Sequence, residues 1–273
     1  MRTRTRRLRM VAVAAAGLLA LTACGSDESD GDSSSQGEGD GQESTDGGGG
    51  ESSDEPLASL PAEEIADRAQ QALQSATSLR IATVGEPAAG GVGLDLHMDQ
   101  QGSCAGSMTQ SGAGSVDLLV REDDEVWMKP DTQFWQSQLG ADAGMISLLD
   151  GRHLYGHTSD EEMSGVAGMC SLAGLQSDIE SDDGSSGPDE VGPETEHNGI
   201  PVVTLSGPDE EGNEVTMLVA TEGEPYPVLI RTQENGTETE IELSQFNEPV
   251  EIEEPPANLV LNVADFRTGD IEG

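Results

Sequence analysis

The stretch VDLLVREDDEVWMK at residues 116–129 decides the fold class, because its polarity changes with a period of two. The apolar residues Val116, Leu118 and Val120 occupy alternate positions, which is the pattern of a half-buried β-strand. The acidic residues 122–124 then separate this strand from a second one. The stretch therefore predicts a β-hairpin.

The same alternation extends outward from this hairpin in both directions. Upstream, Leu94, Leu96 and Met98 alternate with polar residues and predict another strand. Strands joined by turns this short are antiparallel neighbours. The downstream strands and turns are predicted at 195–197, the Asn198-Gly199 turn, 200–205, 214–220, the Glu222-Gly223 turn, 227–232 and 237–246.

An antiparallel sheet with one apolar face needs a cover on that face. Helices are predicted at 61–78, where proline and acids open an apolar 3.6-residue pattern, at 131–149 and at 171–176. The acidic, Gly/Ser/Pro-rich residues 177–193 are interpreted as a surface loop of unassigned role. The fold class is therefore α+β.

The amino terminus has the features of a secretory signal. Residues 1–23 carry five arginines followed by an apolar run of about a dozen residues, shorter than the roughly 20 of a membrane-spanning helix. Leu21-Thr22-Ala23-Cys24-Gly25 resembles the lipobox of bacterial lipoproteins. We expect cleavage before Cys24 and diacylglycerol attachment to its thiol. Thr5-Arg6-Arg7-Leu8 also fits a twin-arginine signal, so the general and twin-arginine export routes both stay open.

Composition divides the rest of the chain. Residues 24–56 consist almost wholly of Ser, Gly, Asp, Glu and Gln, which cannot bury a core, and are predicted to be a disordered acidic linker. Residues 57–266 are enough for one domain with a sizeable core. Residues 267–273 are a predicted tail. Processing at Cys24 would place the protein on the outer face of the cytoplasmic membrane.

The charge of the mature chain is strongly negative. All 53 acids follow residue 23, whereas only seven of the 12 basic residues do, which leaves a net charge of −46. Such a polyanion is repelled by nucleic acid, so nucleic acid is excluded as a partner. We interpret the charge as an adaptation to saline surroundings.

Several short motifs recur in an order typical of one family. The domain resembles the LppX/LprA/LprF/LprG family of actinobacterial lipoproteins over nearly all of residues 57–266. The motifs are Gly106-Ser107-Met108-Thr109-Gln110, Val126-Trp127-Met128-Lys129 followed by Phe134-Trp135, Asn198-Gly199-Ile200-Pro201-Val202-Val203, Pro225-Tyr226-Pro227-Val228, and Phe246-Asn247-Glu248-Pro249-Val250 with Pro255-Pro256. The acidic segment 177–193 and the high charge depart from the usual members.

The resemblance implies a LolA/LolB-like half-barrel. In this fold a curved antiparallel sheet is closed on its concave side by helices, around a hydrophobic cavity that takes acyl chains. It implies a lipid or lipoglycan ligand and no cofactor. Trp127, Phe134 and Trp135 are expected in the core or between helix and sheet. The candidate cavity-lining residues are Leu94, Leu96, Met98, Leu118, Val120, Met145, Leu148 and Leu149.

Cys104 and Cys170 are the thiols left once Cys24 is acylated. Exported domains meet an oxidising compartment, so one disulfide between them is predicted. Buried free thiols are the alternative.

Catalysis has little support in the sequence, and we predict that the protein is not an enzyme. Ser115 lacks the Gly-x-Ser-x-Gly setting of a hydrolase nucleophile. His153 and His157 have the spacing of a helical metal pair, but the residues between them favour a strand or loop, so no metal site is assigned.

Three functions follow from these observations. The first is a lipid carrier or chaperone, the second an envelope sensor or protein-interaction module of the same fold, and the third a cell-wall hydrolase. Copurified lipid, a protein partner without stoichiometric lipid, or an activity lost with one Ser or His would distinguish them.

Overall fold

A computed structural model describes most of the predicted domain. The described residues are 55–122, 124–140, 142–181, 188–209, 211–234 and 236–268. The predicted signal peptide, Cys24, all but the end of the predicted linker and most of the predicted tail lie outside them.

Within these ranges the chain forms twelve strands and six α-helices. The strands are β1 Ser78–Thr83, β2 Val92–Asp99, β3 Cys104–Gln110, β4 Gly114–Arg121, β5 Glu125–Pro130, β6 His153–His157, β7 Glu190–His197, β8 Ile200–Pro208, β9 Glu214–Ala220, β10 Pro227–Glu234, β11 Thr237–Ser244 and β12 Val260–Asn262. The helices are α1 Ala62–Ser75, α2 Thr132–Leu139, α3 Ala143–Leu149, α4 Glu161–Ala167, α5 Leu172–Ser181 and α6 Val263–Thr268. Among the described helices, each is too short or too polar to cross a membrane.

All the strands belong to one open sheet. Their order is β12-β6-β5-β4-β3-β2-β1-β11-β10-β9-β8-β7, so the sheet ends in two different strands and does not close on itself. Every neighbouring pair is antiparallel except β6 and β12, which are parallel. The predicted α+β class, with an antiparallel sheet and a few helices, is confirmed.

The hairpin signals in the sequence correspond to real turns. Asn198 and Gly199 both adopt positive φ, 51° and 84°, as the two-residue turn between β7 and β8 requires. The hairpin predicted from residues 116–129 is formed by β4 and β5, with Leu118 opposite Met128.

Helix α1 ends three residues earlier than predicted, because the chain turns into β1. Ala76 is already extended, and the Asn247 side chain accepts a hydrogen bond from the Thr77 N–H at 2.8 Å. The Gln176 side-chain amide donates to the carbonyl oxygens of Leu73, Gln74 and Ala76. The bonds from Gln176 give hydrogen-bond partners to carbonyl groups at the end of the helix, and β1 can then begin at Ser78.

The interpretation of residues 177–193 as a loop is wrong at both ends. Helix α5 extends to Ser181, and β7 begins at Glu190. Residues 182–187 lie outside the described part of the chain. The strand accommodates Pro193 because it is an edge strand with a register shift between Val191 and Glu194.

Helices cover the sheet in two areas. Helix α1 buries Ile65 and Ala69 against Val203 and Val219 in the second half of the sheet. Helices α2 to α5 cover the first half, β1 to β6, where the larger core lies. The candidate site is in this second area.

Candidate functional site

Two rows of side chains cross β1 to β6 on one face, which we call the helix-covered face. In each row the residues lie directly opposite one another in neighbouring strands, and together they form a largely aliphatic surface that one glycine interrupts in each row. The first row is Ile81, Leu96, Gly106, Leu118, Met128 and Leu154, and the second is Leu79, Met98, Cys104, Val120, Val126 and Gly156.

Six of the eight predicted lining residues meet on this face or against it. Five are buried in one cluster, and Leu94 packs against that cluster while partly buried. Met145 and Leu148 on α3 are instead 45% and 48% exposed. The five buried residues are Leu96, Met98, Leu118, Val120 and Leu149.

Asp131 joins the start of α2 to the first residues of β4 by hydrogen bonds. One carboxylate oxygen accepts the N–H of Phe134 at 2.7 Å, and the other accepts the N–H and hydroxyl of Ser115, both at 2.9 Å. Burial opposes ionisation of Asp131, but these hydrogen bonds outweigh it and lower the pKa of the carboxyl group. Helix α2 is therefore fixed to β4 at its first turn.

Helix α3 has apolar side chains on two sides. Its first turn is capped by Asp142, which accepts the N–H groups of Gly144 and Met145. Leu149 is buried in the core, while Met145 and Leu148 lie outward. This short helix thus contacts the apolar core and also presents apolar surface to solvent.

The other end of the helical cover is bonded to the sheet by a disulfide. Cys104 at the start of β3 and Cys170 are joined, with 5.6 Å between their Cα atoms. Cys170 directly precedes the segment that leads into α5. The bond therefore joins the second row of the helix-covered face to the helices above it.

The tryptophans occupy opposite faces of the sheet. Trp135 on α2 is 2% exposed and belongs to the core between helices and sheet, as expected. Trp127 is buried on the other face, 5.3 Å from the Tyr155 ring, with the Arg121 guanidinium 5.2 Å above it. For Trp127 the expected burial is confirmed, but in the core on the other face and not between helix and sheet, because the strand period directs it away from the helices.

A cavity of about 310 Å³ opens near the start of α2, and its walls are mostly polar. Its lining includes Glu86, Thr109, Ser115, Asp131 and Gln133. None of the eight predicted lining residues borders it. The apolar surface is thus covered by helices, and the open cavity lies elsewhere.

The candidate catalytic and metal residues are not brought together. The Ser115 hydroxyl donates to Asp131 and serves the α2 cap. His153 and His157 lie on β6 and face away from the helices, and burial together with the charge of Lys129 lowers the pKa of His153. In the part of the chain that the structure describes, no three His, Cys, Asp or Glu residues are grouped as a metal site.

Two residues that shape the site were not predicted as such. Gly106 interrupts an apolar row at its centre, and a lone glycine within a strand is a known signal of close backbone approach. Gln176 on α5 bonds to the end of α1, about 100 residues away in the sequence. No local sequence pattern could indicate a contact between residues so far apart.

Comparison with known proteins gives only structural matches. No protein-family model and no curated protein matches the chain. Similar solved structures include LprF from Mycobacterium bovis, at 13% identity and TM-score 0.48, covering 71% of this chain and 96% of that one. Mycobacterium tuberculosis lipoprotein LppX is similar at 15% identity and TM-score 0.42, covering 70% and 98%. Pseudomonas aeruginosa MucA/MucB shows 10% identity and TM-score 0.30, covering 70% and 59%.

LprF and LppX are two of the proteins from which the family that the sequence motifs resemble takes its name.

Proposed function

We propose that this chain is an exported, lipid-anchored envelope protein that shelters the acyl chains of a lipid or acylated glycolipid. The acyl chains would lie between the helix-covered face and helices α2 to α5. The observation that supports this function is the largely aliphatic surface of β1 to β6 beneath a cover of short helices.

In this proposal the short helices open between two attachments to the sheet, the Asp131 hydrogen bonds and the Cys104–Cys170 disulfide. Helices α2, α3 and α4 have eight, seven and seven residues, too few to be stable without packing. The sheet ladder from β1 to β6 does not depend on their hydrogen bonds. Local opening of the helices therefore costs less than unfolding of the sheet.

An acyl chain replaces the contacts that the helices lose on opening. Each methylene group moved from water to an apolar surface contributes about 0.8 kcal/mol. The aliphatic rows suit such a ligand, because linear chains require adaptable apolar contacts and no directional bonds. The lipid headgroup would stay at the rim of the sheet.

The amino terminus supplies the membrane attachment in this proposal. Two acyl chains on Cys24 would give durable anchoring, which one chain alone does not. The linker at 24–56 would reach about 30 Å, enough to keep the domain clear of the headgroups. The protein would then act on the outer face of the cytoplasmic membrane and load lipid there.

The test compares two neighbouring leucines on opposite faces of β4. Leu118 is 1% exposed and faces the helices, whereas Leu119 is half-buried on the other face. Unlipidated mature chain carrying Cys24→Ser is incubated with dioleoyl phosphatidylglycerol vesicles and repurified, and bound lipid is extracted and quantified. We expect Leu118→Trp to lose most bound lipid and Leu119→Trp to retain it.

Equal loading of the two variants would contradict the proposed site. Thermal melting of both variants shows that each is folded. If Leu118→Trp does not fold, Leu96→Trp replaces it, because Leu96 lies in the same row.

A further inference from the structure

The buried indole of Trp135 has a donor without an acceptor. The side chain is 2% exposed, and its Nε1–H is buried with no hydrogen-bond partner among the described residues. An indole N–H can only donate, so no change of tautomer or rotation relieves it. Buried tryptophans normally find an acceptor, and an unmet donor in a core calls for an explanation.

The carboxylate at the start of α2 accepts hydrogen bonds from groups other than the Trp135 indole. Both carboxylate oxygens of Asp131 accept bonds from Phe134 and Ser115. Trp135 belongs to the hydrophobic core cluster that also contains Leu149, Met163 and Leu172. The indole is therefore part of the apolar core that the proposed acyl chains would enter.

We propose that Trp135 Nε1–H donates a hydrogen bond to the carbonyl oxygen of an acyl ester held against the helix-covered face. This inference rests on the proposed function and adds a residue that would recognise the ester group of the ligand. An ester carbonyl is an uncharged acceptor joined directly to a hydrocarbon chain, so one molecule satisfies both the donor and the apolar rows.

The surroundings favour an ester over a free fatty-acid anion. Lys129 and Arg121 lie on the opposite face of the sheet, where they contact Asp117 and Glu125. Burying a carboxylate in the apolar core beside Trp135 is far more costly than burying an uncharged ester there. The site should therefore discriminate between acyl esters and fatty-acid anions.

The test uses the fact that the chain has two tryptophans. Trp127→Phe leaves Trp135 as the single indole, and in ¹⁵N-labelled mature chain its N–H gives one NMR signal. Methyl laurate should move this signal downfield, whereas dodecane, which lacks an acceptor, should bind without that shift. Trp135→Phe should weaken methyl laurate binding by about tenfold, while Trp127→Phe, the matched control, should not.

The outcomes separate the inference from the proposed function. If methyl laurate and dodecane bind and Trp135→Phe weakens both equally, the indole only packs and the inference is wrong, although the function stands. The indole signal could instead lie downfield without ligand and not move when methyl laurate is added. That result would mean that the indole N–H donates to a buried water, and it would also overturn the inference. If neither compound binds, the proposed function itself fails.

Discussion

Gly106 is the residue on which the close packing of the central strands depends most directly. It stands between Leu96 and Leu118 in the first apolar row, with φ of +155°. A Cβ built there would lie 1.9 Å from the backbone carbonyl oxygen of Asp95, which cannot move without disturbing β2. The glycine is therefore required by the backbone, and it also leaves the row without a side chain at its centre.

We predict that Gly106→Ala lowers the free energy of unfolding by about 3 kcal/mol, because a backbone clash is added to an unfavourable φ. Urea unfolding followed by circular dichroism measures the change. Gly165 in α4 is the matched control, since a Cβ there meets nothing within 4 Å. Gly165→Ala should be neutral or stabilising by up to about 1 kcal/mol, and equal losses in both variants would contradict the account.

At the scale of elements, the Asp131 cap joins a helix to the sheet. Its pKa is lowered in the folded protein, so its contribution to stability is present above its ordinary pKa of 3.8 and is lost as the pH falls through the lower folded-state value. Asp131→Asn should cost about 1 kcal/mol at pH 7, since an amide caps a helix but accepts fewer bonds.

Urea unfolding at pH 7 and near pH 3 measures this difference. The difference in the free energy of unfolding between the parent protein and Asp131→Asn should be smaller at the lower pH. Asp142→Asn is the control, because Asp142 caps α3 without a bond to a strand, and its effect on global unfolding should be smaller. If Asp131→Asn lowers the free energy of unfolding equally at both pH values, the proposed role of the carboxylate is contradicted.

The elements recovered from sequence are those with a clear period or turn chemistry. Residues 214–220 form β9 as predicted, and the alternation around Leu96 and Leu118 marks β2 and β4. Strand β1 was missed because the helical pattern runs into it, and Gln176, distant in sequence, terminates that helix. The first part of the edge strand β7, residues 190–194, was missed because its exposed acids resemble a loop, whereas the part at 195–197 was predicted.

The sequence predicted which face of the sheet is apolar. It predicted less well which individual residues lie on or against that face. Leu96, Leu118 and Val120 follow from the strand period, which places alternate side chains on one side. Met145 and Leu148 were grouped with them because they are apolar, but α3 is short and only one side of it meets the core. The direction of a short helix depends on contacts that a local pattern does not contain.

The whole molecule combines an open sheet with a large excess of negative charge. An open sheet leaves two edges that can pair with other chains. On the β7 edge, Glu190, Glu194 and Glu196 are exposed, and Pro193 interrupts the ladder. Acids and a register shift of this kind oppose edge-to-edge association.

The same charge should make stability depend on salt. Exposed acids repel one another in the compact state, and the screening length falls from about 10 Å at 0.1 M salt to about 3 Å at 1 M. We predict that the melting temperature of the mature chain rises steeply over this range, as measured by circular dichroism. Sodium and choline chloride should act alike if screening is the cause, and a flat response to both would contradict the interpretation.

Native mass spectrometry of the mature chain, purified from a related bacterium and followed by denaturing lipid extraction, tests the central claim most directly. The account predicts a stoichiometric two- or three-chain lipid ester, released on denaturation. A chain of unliganded mass that stays empty after incubation with cell-envelope lipids would contradict it and favour a sensor or interaction module.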